Sequence, residues 1–262
     1  MFGAAGRMGV SLIRAIAADP AFELVGALGS PGSAALGQDA GSLAGLTRRL
    51  GVVVGADRAH VLARAEVALD FTLPEATLAN LAACEATGVA LLLGTTGLSA
   101  AAKAALPAAA ARLALLVAAN TSLGVAVLAG LIERAARALP ADYDIDVEDV
   151  HHRDKRDAPS GTALVLGAAA AAGRGRDPGL LAADAADGGG APRRQGAIGF
   201  ASVRTGDIVG EHTVYFAGPG ERLELTHRAT DRMTFARGAL RAAAWLRGRQ
   251  PGRYSMADVL GL

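Results

Sequence analysis

The chain has 262 residues, enough to bury one large core or two modest ones, and its 26 Lys and Arg against 25 Asp and Glu leave a formal charge of +1. That balance makes no global case for nucleic-acid or membrane binding, and an aromatic content of 4% argues against base-stacking platforms. A single cysteine, Cys84, excludes an internal disulfide and any Cys-rich zinc site, and within a predicted helix it reads as a buried, inert thiol.

Residues 3 to 9 read Gly-Ala-Ala-Gly-Arg-Met-Gly, after which Val10, Ile13 and Ile16/Ala17 recur at helical spacing. Glycines three apart at the mouth of a helix let the backbone approach a pyrophosphate, which the helix N-terminus then holds. This is a G-x-x-G-x-x-G variant of the dinucleotide fingerprint, although a Gly-rich turn that only lets a helix pack would read the same way. Strands are predicted over 22–28, 52–54 and 67–71, a helix over 74–87, and a fully apolar strand over 89–93 that ends in Gly94-Thr95-Thr96-Gly97. A helix over about 99–111 and a strand over 113–118 follow, the strand running into Asn120-Thr121-Ser122. Strands and helices alternate at parallel-sheet spacing, with polar turns just beyond the carboxyl ends of the strands, the edge where open α/β sheets bind ligands. The Ala/Leu-rich stretch 104–119 is broken by Pro107 and Arg112, and no basic-then-apolar segment opens the chain. The expectation is a cytoplasmic protein that does not span a membrane.

After a helix at about 122–139 the pattern changes. Asp146, Glu148 and Val150 alternate with Val147 and Asp149, as in a strand with one wet face. His151, His152, Arg153, Lys155 and Arg156 follow within six residues, and Pro159 and Ser160 then open a helix over 160–172. The N–H groups of its first turn, at Gly161 and Thr162, form a carboxylate or phosphate seat. A strand end, a basic loop and a helix N-terminus in succession suit a small anion that must also receive protons; a solvated charged loop is the plainer alternative. Residues 173–196, rich in Gly, Pro, Asp and Arg, read as a mobile loop. Runs at 197–204, 211–217 and 222–228, separated by tight turns, predict an antiparallel sheet, and 233–247 a long amphipathic helix. Asp146, Glu148 and Asp149 read as a polar strand face or as braces for the histidines, His212 and His227 as structural or interface residues, and His60 as a solvated helix residue. The organisation expected is α/β: a Rossmann-type parallel-sheet domain over residues 1–122 and 232–262, and an inserted α+β domain over 123–231 with a mainly antiparallel sheet.

Gly3-Ala4-Ala5-Gly6-Arg7-Met8-Gly9, Asp70-Phe71-Thr72, Gly94-Thr95-Thr96-Gly97, Ala119-Asn120 with Ser122, His151-His152-Arg153 with Lys155, Ser160-Gly161-Thr162, and Arg204-x-Gly206-Asp207-Ile208-Val209-Gly210-Glu211-His212 occur in this order. In them, and over nearly its whole length, the chain resembles the 4-hydroxy-tetrahydrodipicolinate reductase family, also called dihydrodipicolinate reductase. The resemblance implies reduction of 4-hydroxy-tetrahydrodipicolinate to tetrahydrodipicolinate with NADPH or NADH, in diaminopimelate and lysine biosynthesis, by a cytoplasmic homotetramer whose C-terminal-domain sheets pack together. It implies that the turn of Gly3, Ala4, Ala5, Gly6, Arg7 and Met8 holds the pyrophosphate, while Gly94, Thr95 and Thr96 with Ala119, Asn120, Thr121 and Ser122 surround the nicotinamide. His151 would be the proton donor and acceptor and Lys155 the proton donor, with His152, Gly161 and Thr162 on the substrate carboxylates. No metal and no nucleic-acid or membrane partner is expected, only a small dicarboxylate substrate. Closure of one domain over the other would bring the nicotinamide to the His151/Lys155 loop and exclude water.

The residues suit that chemistry independently. A hydride reaching a conjugated ring imine pushes negative charge onto the ring, so an adjacent acid must supply a proton, and a dicarboxylate needs two cationic or N–H-rich seats. The sequence departs from the family in two places. Only Met1 and Phe2 precede the glycine turn, where the family places a full central strand, so the sheet should hold a truncated first strand. Where the family often has an acid for the ribose 2′-OH, this chain reads Leu28-Gly29-Ser30-Pro31, which points to NADPH use or dual specificity, with Arg7 or Ser30 as the phosphate partner. Two other readings compete. A metal-dependent hydrolase would use His151, His152 and nearby acids, but adjacent strand histidines face opposite ways and no downstream ligand trio is evident. A non-catalytic dinucleotide-sensing module would need Gly3 to Gly9 but not Lys155.

Overall fold

Glycine-led turns alternate with short apolar runs through the first half of the chain, and in the computed structural model, which describes residues 1–176 and 196–262, these runs line up as parallel strands. The elements are α1 (Arg7–Ala18), β1 (Ala27–Leu28), α2 (Ala40–Leu43), β2 (Val54–Gly55), α3 (Arg58–Leu62), β3 (Val67–Asp70), a 3-10 turn at Pro74–Ala76, α4 (Thr77–Thr87), β4 (Ala90–Leu93), α5 (Ala100–Ala110) and β5 (Ala114–Val117). Then come α6 (Leu123–Ala138), β6 (Asp144–His151), α7 (Gly161–Gly173), β7 (Ile198–Arg204), β8 (Gly210–Gly218), β9 (Glu221–Ala229), α8 (Met233–Leu246), β10 (Gly252–Tyr254) and α9 (Met256–Leu260). They fall into two compact units, Met1–Ser122 with Met233–Gly261, and Leu123–Arg232 with Leu262. Most of the loop expected over 173–196 lies outside the described residues. Among the described residues no helix is long and apolar enough to cross a membrane.

In the first unit β10, β5, β4 and β3 pair in parallel in that order, and β1 pairs in parallel with β2. Phe2 joins the two groups, bridging Leu28 on one side and Asp70 on the other, both in parallel. The truncated first strand is therefore present: Leu28 N donates to Met1 O at 2.8 Å and Phe2 N to Leu69 O at 2.9 Å, with the Phe2 ring fully buried. Read across, the order β2-β1-Phe2-β3-β4-β5-β10 is that of a Rossmann-type sheet. Leu91, Leu92, Leu93, Leu115 and Leu116 are all buried, because parallel strands covered on both faces have no wet row. α8 packs against β3, β4 and β5, and α4 against β3 and β4. β1 is shorter than the expected 22–28, since its partner β2 is itself only two residues long. Cys84 is buried in this core, and burial, followed by the nearby Asp70 charge, pushes its thiol up to about 12.

The second unit is a four-stranded sheet of order β7-β6-β8-β9 under α6 and α7. β6 and β8, and β8 and β9, are antiparallel, but β7 lies parallel to β6 rather than forming a hairpin with β8. The tight turn after Arg204 expected to join two neighbours instead carries the chain past the end of β6. It is pinned there by Thr205 N donating to His151 O at 2.8 Å and Arg153 N to Gly206 O at 3.2 Å. The helix-facing row of the sheet holds Val147, Ile198, Val214 and Phe216, with Leu166 of α7 packed over it, and the burial of each contributes roughly 1.5–3 kcal/mol. α7 approaches α6 so closely at Gly173 that a Cβ there would lie 2.3 Å from Glu133 O and 2.7 Å from Ala136 Cβ. Gly173→Ala should cost about 1–3 kcal/mol by overpacking, read as a fall of several degrees in Tm by thermal denaturation; an unchanged Tm would show the two helices to be further apart.

Candidate active site

β6 alternates strictly, and its buried row runs Ile145, Val147, Asp149, His151. The third member is a carboxylate with no exposure at all, and such a group is tolerated only when both oxygens are matched. Oδ2 accepts the Ser160 backbone N–H at 2.8 Å, Arg204 Nη2 at 2.9 Å and Ser202 Oγ at 3.4 Å. Oδ1 lies 2.9 Å from His151 Nδ1 and 3.2 Å from His212 Nε2, contacts of ion-pair distance without the alignment of straight hydrogen bonds. Burial works to raise the Asp149 pKa, but His151, His212, Ser160 and Arg204 outweigh it and hold the carboxyl well below the ordinary carboxylate range.

These partners bring the chemistry-bearing residues to one end of β6. His151 is its last residue, buried, its ring edge-on to His212 with centroids 5.1 Å apart. Only glycine fits at 210, because a Cβ there would come within 2.9 Å of His151 Nε2. His227 stands opposite His212 on β9, its pKa pushed down by burial and then by His212. Ser160 caps α7 by accepting Ala163 N at 3.1 Å, so Gly161 and Thr162 are the first two residues of that helix. A Cβ at Gly161 would meet nothing within 4 Å, so the side-chain side of this position is open. His152, half-buried, follows the strand, and its carbonyl accepts Lys155 N at 3.1 Å. Lys155 Nζ is held by both Asp157 oxygens at 2.8 and 2.9 Å, and Asp157 O in turn accepts Arg204 Nη2 at 2.8 Å.

The other group of expected residues lies at the carboxyl edge of the first unit's parallel sheet. Gly3 has φ +77°, and a Cβ at Gly9 would stand 2.2 Å from Gly3 O, so the turn and the start of α1 are in backbone contact. Gly6, the N-cap of α1, supplies no side-chain cap, which leaves the first-turn N–H groups at Arg7 and Met8 open to an anion; a dinucleotide pyrophosphate fits such a seat. Ala4 is buried and Ala5 exposed beside it. Gly94 follows β4 against the Phe71 ring, which a Cβ would enter at 2.3 Å. Thr95 is buried, its Oγ1 3.2 Å from Thr72 O and 3.3 Å from Asp70 Oδ1, and Thr96 is exposed. Ala119 is exposed, Asn120 Oδ1 accepts Ser122 N at 2.8 Å, and Thr121, buried, donates its hydroxyl to Phe235 O on α8 at 2.7 Å.

Asp149, expected either on a polar strand face or as a brace for the histidines, is the brace and stands at the centre of the site, whereas His212 and Arg204 had no role in the expected site. The signal for Asp149 was in the sequence, since it shares the two-residue period of Ile145 and Val147. His212 and Arg204 arrive by strand register, His212 opposite Asp149 and Arg204 opposite His151. The ligand trio not evident in the sequence does occur: Asp149, His151 and His212 place their donor atoms within 4.8 Å of one another. Arg204, against the other Asp149 oxygen, already supplies the positive charge that a metal ion would bring there.

Two family models match, described as dihydrodipicolinate reductase, N-terminus, over residues 1–121 and dihydrodipicolinate reductase, C-terminus, over residues 124–260. A 4-hydroxy-tetrahydrodipicolinate reductase of Alkalilimnicola ehrlichii is 55% identical over 260 residues, 99% of this chain and 97% of the relative. One from Rhodopseudomonas palustris strain BisA53 is 53% identical over 99% of this chain and 95% of the relative. Among solved structures, a dipicolinate-bound dihydrodipicolinate reductase from Paenisporosarcina sp. TG-14 aligns with TM-score 0.76 at 22% identity, covering 98% of this chain and 96% of that one. An amine dehydrogenase from Mycobacterium smegmatis shares the fold at TM-score 0.58 and 17% identity, over 94% of this chain and 91% of that one.

Because the folded-state pKa of Asp149 is depressed, the stability it contributes is fully present above its unfolded value near pH 4 and is lost as pH falls below that. Denaturant titrations should show Asp149→Asn less stable by about 3–5 kcal/mol at neutral pH. They should also show a shallower decline for that variant than for the parent between about pH 4 and pH 2; parallel declines would contradict the assignment.

Proposed function

The chain belongs to the dihydrodipicolinate reductase family, and on that premise we infer that it reduces 4-hydroxy-tetrahydrodipicolinate to tetrahydrodipicolinate, a step of diaminopimelate and lysine biosynthesis. It is an oxidoreductase that uses NADH or NADPH. The observation that carries this reading is identity above 50% along the whole chain to reductases of one name, with both family models matched in order. Neither a metal-dependent hydrolase nor a dinucleotide sensor accounts for that.

The roles of individual residues are our proposal. The first unit is the dinucleotide-binding domain, with Gly3 to Met8 on the pyrophosphate and Gly94 to Thr96 and Ala119 to Ser122 around the nicotinamide. When bound, the reduced nicotinamide supplies the hydride. The second unit holds the substrate: one carboxylate lies on the first-turn N–H groups of Gly161 and Thr162, where a helix N-terminus favours negative charge, and His152 reaches a carboxylate as well. Once the 4-hydroxyl has left as water, the hydride adds to the carbon–carbon double bond conjugated with the ring imine, and His151 and Lys155 deliver the proton that the ring then takes up. An uncapped glycine start to α1 and the open side-chain side of Gly161 support the two anion seats. We further propose a cytoplasmic homotetramer joined through the second unit's sheet, whose helix-free face bears the Tyr215–Glu148 hydrogen bond, the Thr213–Thr226 pair, and Val203 at 41% exposure.

Lys155→Ala should cut turnover by about 10²–10⁴-fold while leaving the dinucleotide dissociation constant unchanged; steady-state kinetics beside a fluorescence titration would check this, and undiminished turnover would remove Lys155 from the chemistry. No carboxylate follows β1 to repel a 2′-phosphate, and Arg7 stands exposed at the start of α1. The Michaelis constant for NADPH should therefore be no higher than that for NADH, and Arg7→Ala should raise it selectively. A strong preference for NADH would defeat the expectation.

A further inference from the structure

We propose that Asp149 is a positioning residue that sets His151 and the first turn of α7 in one fixed geometry, and that Arg204 extends this geometry to Lys155. The proposal rests on the roles given above to His151, Lys155, Gly161 and Thr162. Asp149 stands two residues from His151 on the same face of the same strand, in a row otherwise filled by Ile145 and Val147. An apolar side chain would fill that row without desolvating a charge, so the carboxylate has to be explained by what it holds.

Its two oxygens divide the work. Oδ1 faces the imidazoles, 2.9 Å from His151 Nδ1 and 3.2 Å from His212 Nε2. The negative charge 2.9 Å from Nδ1 favours a hydrogen on that nitrogen even without a straight hydrogen bond, which leaves Nε2 as the atom that exchanges a proton with the substrate. Oδ2 accepts the backbone N–H of Ser160 at 2.8 Å, one residue before the Gly161 and Thr162 amides. The helix mouth that would seat a substrate carboxylate and the ring that would carry its proton are therefore fixed to opposite oxygens of one rigid group. Arg204 carries the geometry onward. Nη1 donates to Asp149 O at 2.9 Å, and Nη2 donates to Asp149 Oδ2 at 2.9 Å and to Asp157 O at 2.8 Å. The Asp157 carboxylate in turn grips Lys155 Nζ. No other residue described in the second unit touches His151, the α7 cap and the anchor of the 152–157 loop together. A displacement of about 1 Å in such an arrangement costs on the order of 10²-fold in rate.

The test compares Asp149→Asn, Asp149→Glu and Arg204→Lys in the full chain, with His151→Asn and Lys155→Ala alongside. Measured for each are kcat, KM for the dicarboxylate, the dinucleotide dissociation constant, Tm, and the pH profile of kcat/KM. Asp149→Asn should lower kcat roughly 10²-fold with dinucleotide affinity unchanged. Its pH profile should be altered, because the groups facing position 149 are His151 on β6, His212 on β8 and Arg204 on β7, with His227 behind on β9. Asp149→Glu should recover part of the loss. Arg204→Lys, which keeps the charge but cannot span Asp149 and Asp157, should lower kcat while leaving the profile's shape intact, and it decides the question if Asp149→Asn does not fold. A merely structural role would lower Tm and leave kcat and the profile of the folded fraction superimposable on the parent, and that result overturns the proposal. Should His151→Asn and Lys155→Ala also keep full turnover, the roles on which the proposal rests fail instead.

Discussion

A charged group set in an apolar row makes a demand that the surrounding chain must meet in full. In the second unit that group is Asp149, and besides its own strand three segments converge to meet it: the cap of α7, the end of β7 and the start of β8. The Ala-rich helix α7 would pack against the sheet on apolar contacts alone. Its N-terminus, however, is held to one point by the Ser160 amide, next to the Gly161 and Thr162 amides proposed as the anion seat. Electrostatic matching thus converts a general hydrophobic fit into a particular arrangement of functional groups.

The first unit uses a related device. Asp70, at the end of β3 and without exposure, accepts Thr72 N at 2.9 Å, Thr72 Oγ1 at 2.6 Å and Asn80 Nδ2 at 2.8 Å, with Thr95 Oγ1 at 3.3 Å. One buried acid therefore ties the turn after β3 to the turn after β4. Backbone crowding does the rest: Gly9 against Gly3, and Gly94 against the Phe71 ring, leave no room for a side chain where the turns meet. In both units the edge that carries the candidate site residues lies at the carboxyl ends of strands and is braced by a carboxylate in the last or near-last inward position.

Long apolar runs made much of this fold legible in the sequence. β4 and β5, buried on both faces, announce themselves as unbroken Leu-rich segments, and the glycine spacing before α1 marks its start. The short helices α2 and α9 were not legible, and α3 only through the reading of His60 as a helix residue. Four or five residues carry no periodicity, and what holds these turns is a cap: Asp39 accepting four backbone N–H groups, Asp57 accepting two, and the reciprocal Ser255–Asp258 box. The pairing of β7 was misread for a different reason. A three-residue turn between two β runs usually means a hairpin, yet here the turn's own backbone bonds to His151 and Arg153 carry it over a third strand. In the site, His151, Lys155 and Ser160 to Thr162 were visible as one local run. His212 and Arg204 were not, because which residue faces Asp149 across the sheet is decided by pairing register, and a single sequence leaves that open.

β6 is flanked on both sides, with seven residues matched to β7 and seven to β8. Sliding it by a single position would exchange its two rows, turning Asp149 and His151 out to the helix-free face and bringing Glu148 and Val150 under α6 and α7. The strand is thus a ruler with one valid setting. An inserted or deleted residue between 144 and 151 would therefore put Asp149 and His151 on opposite faces from each other or from their partners, even where the hydrophobic count survived it.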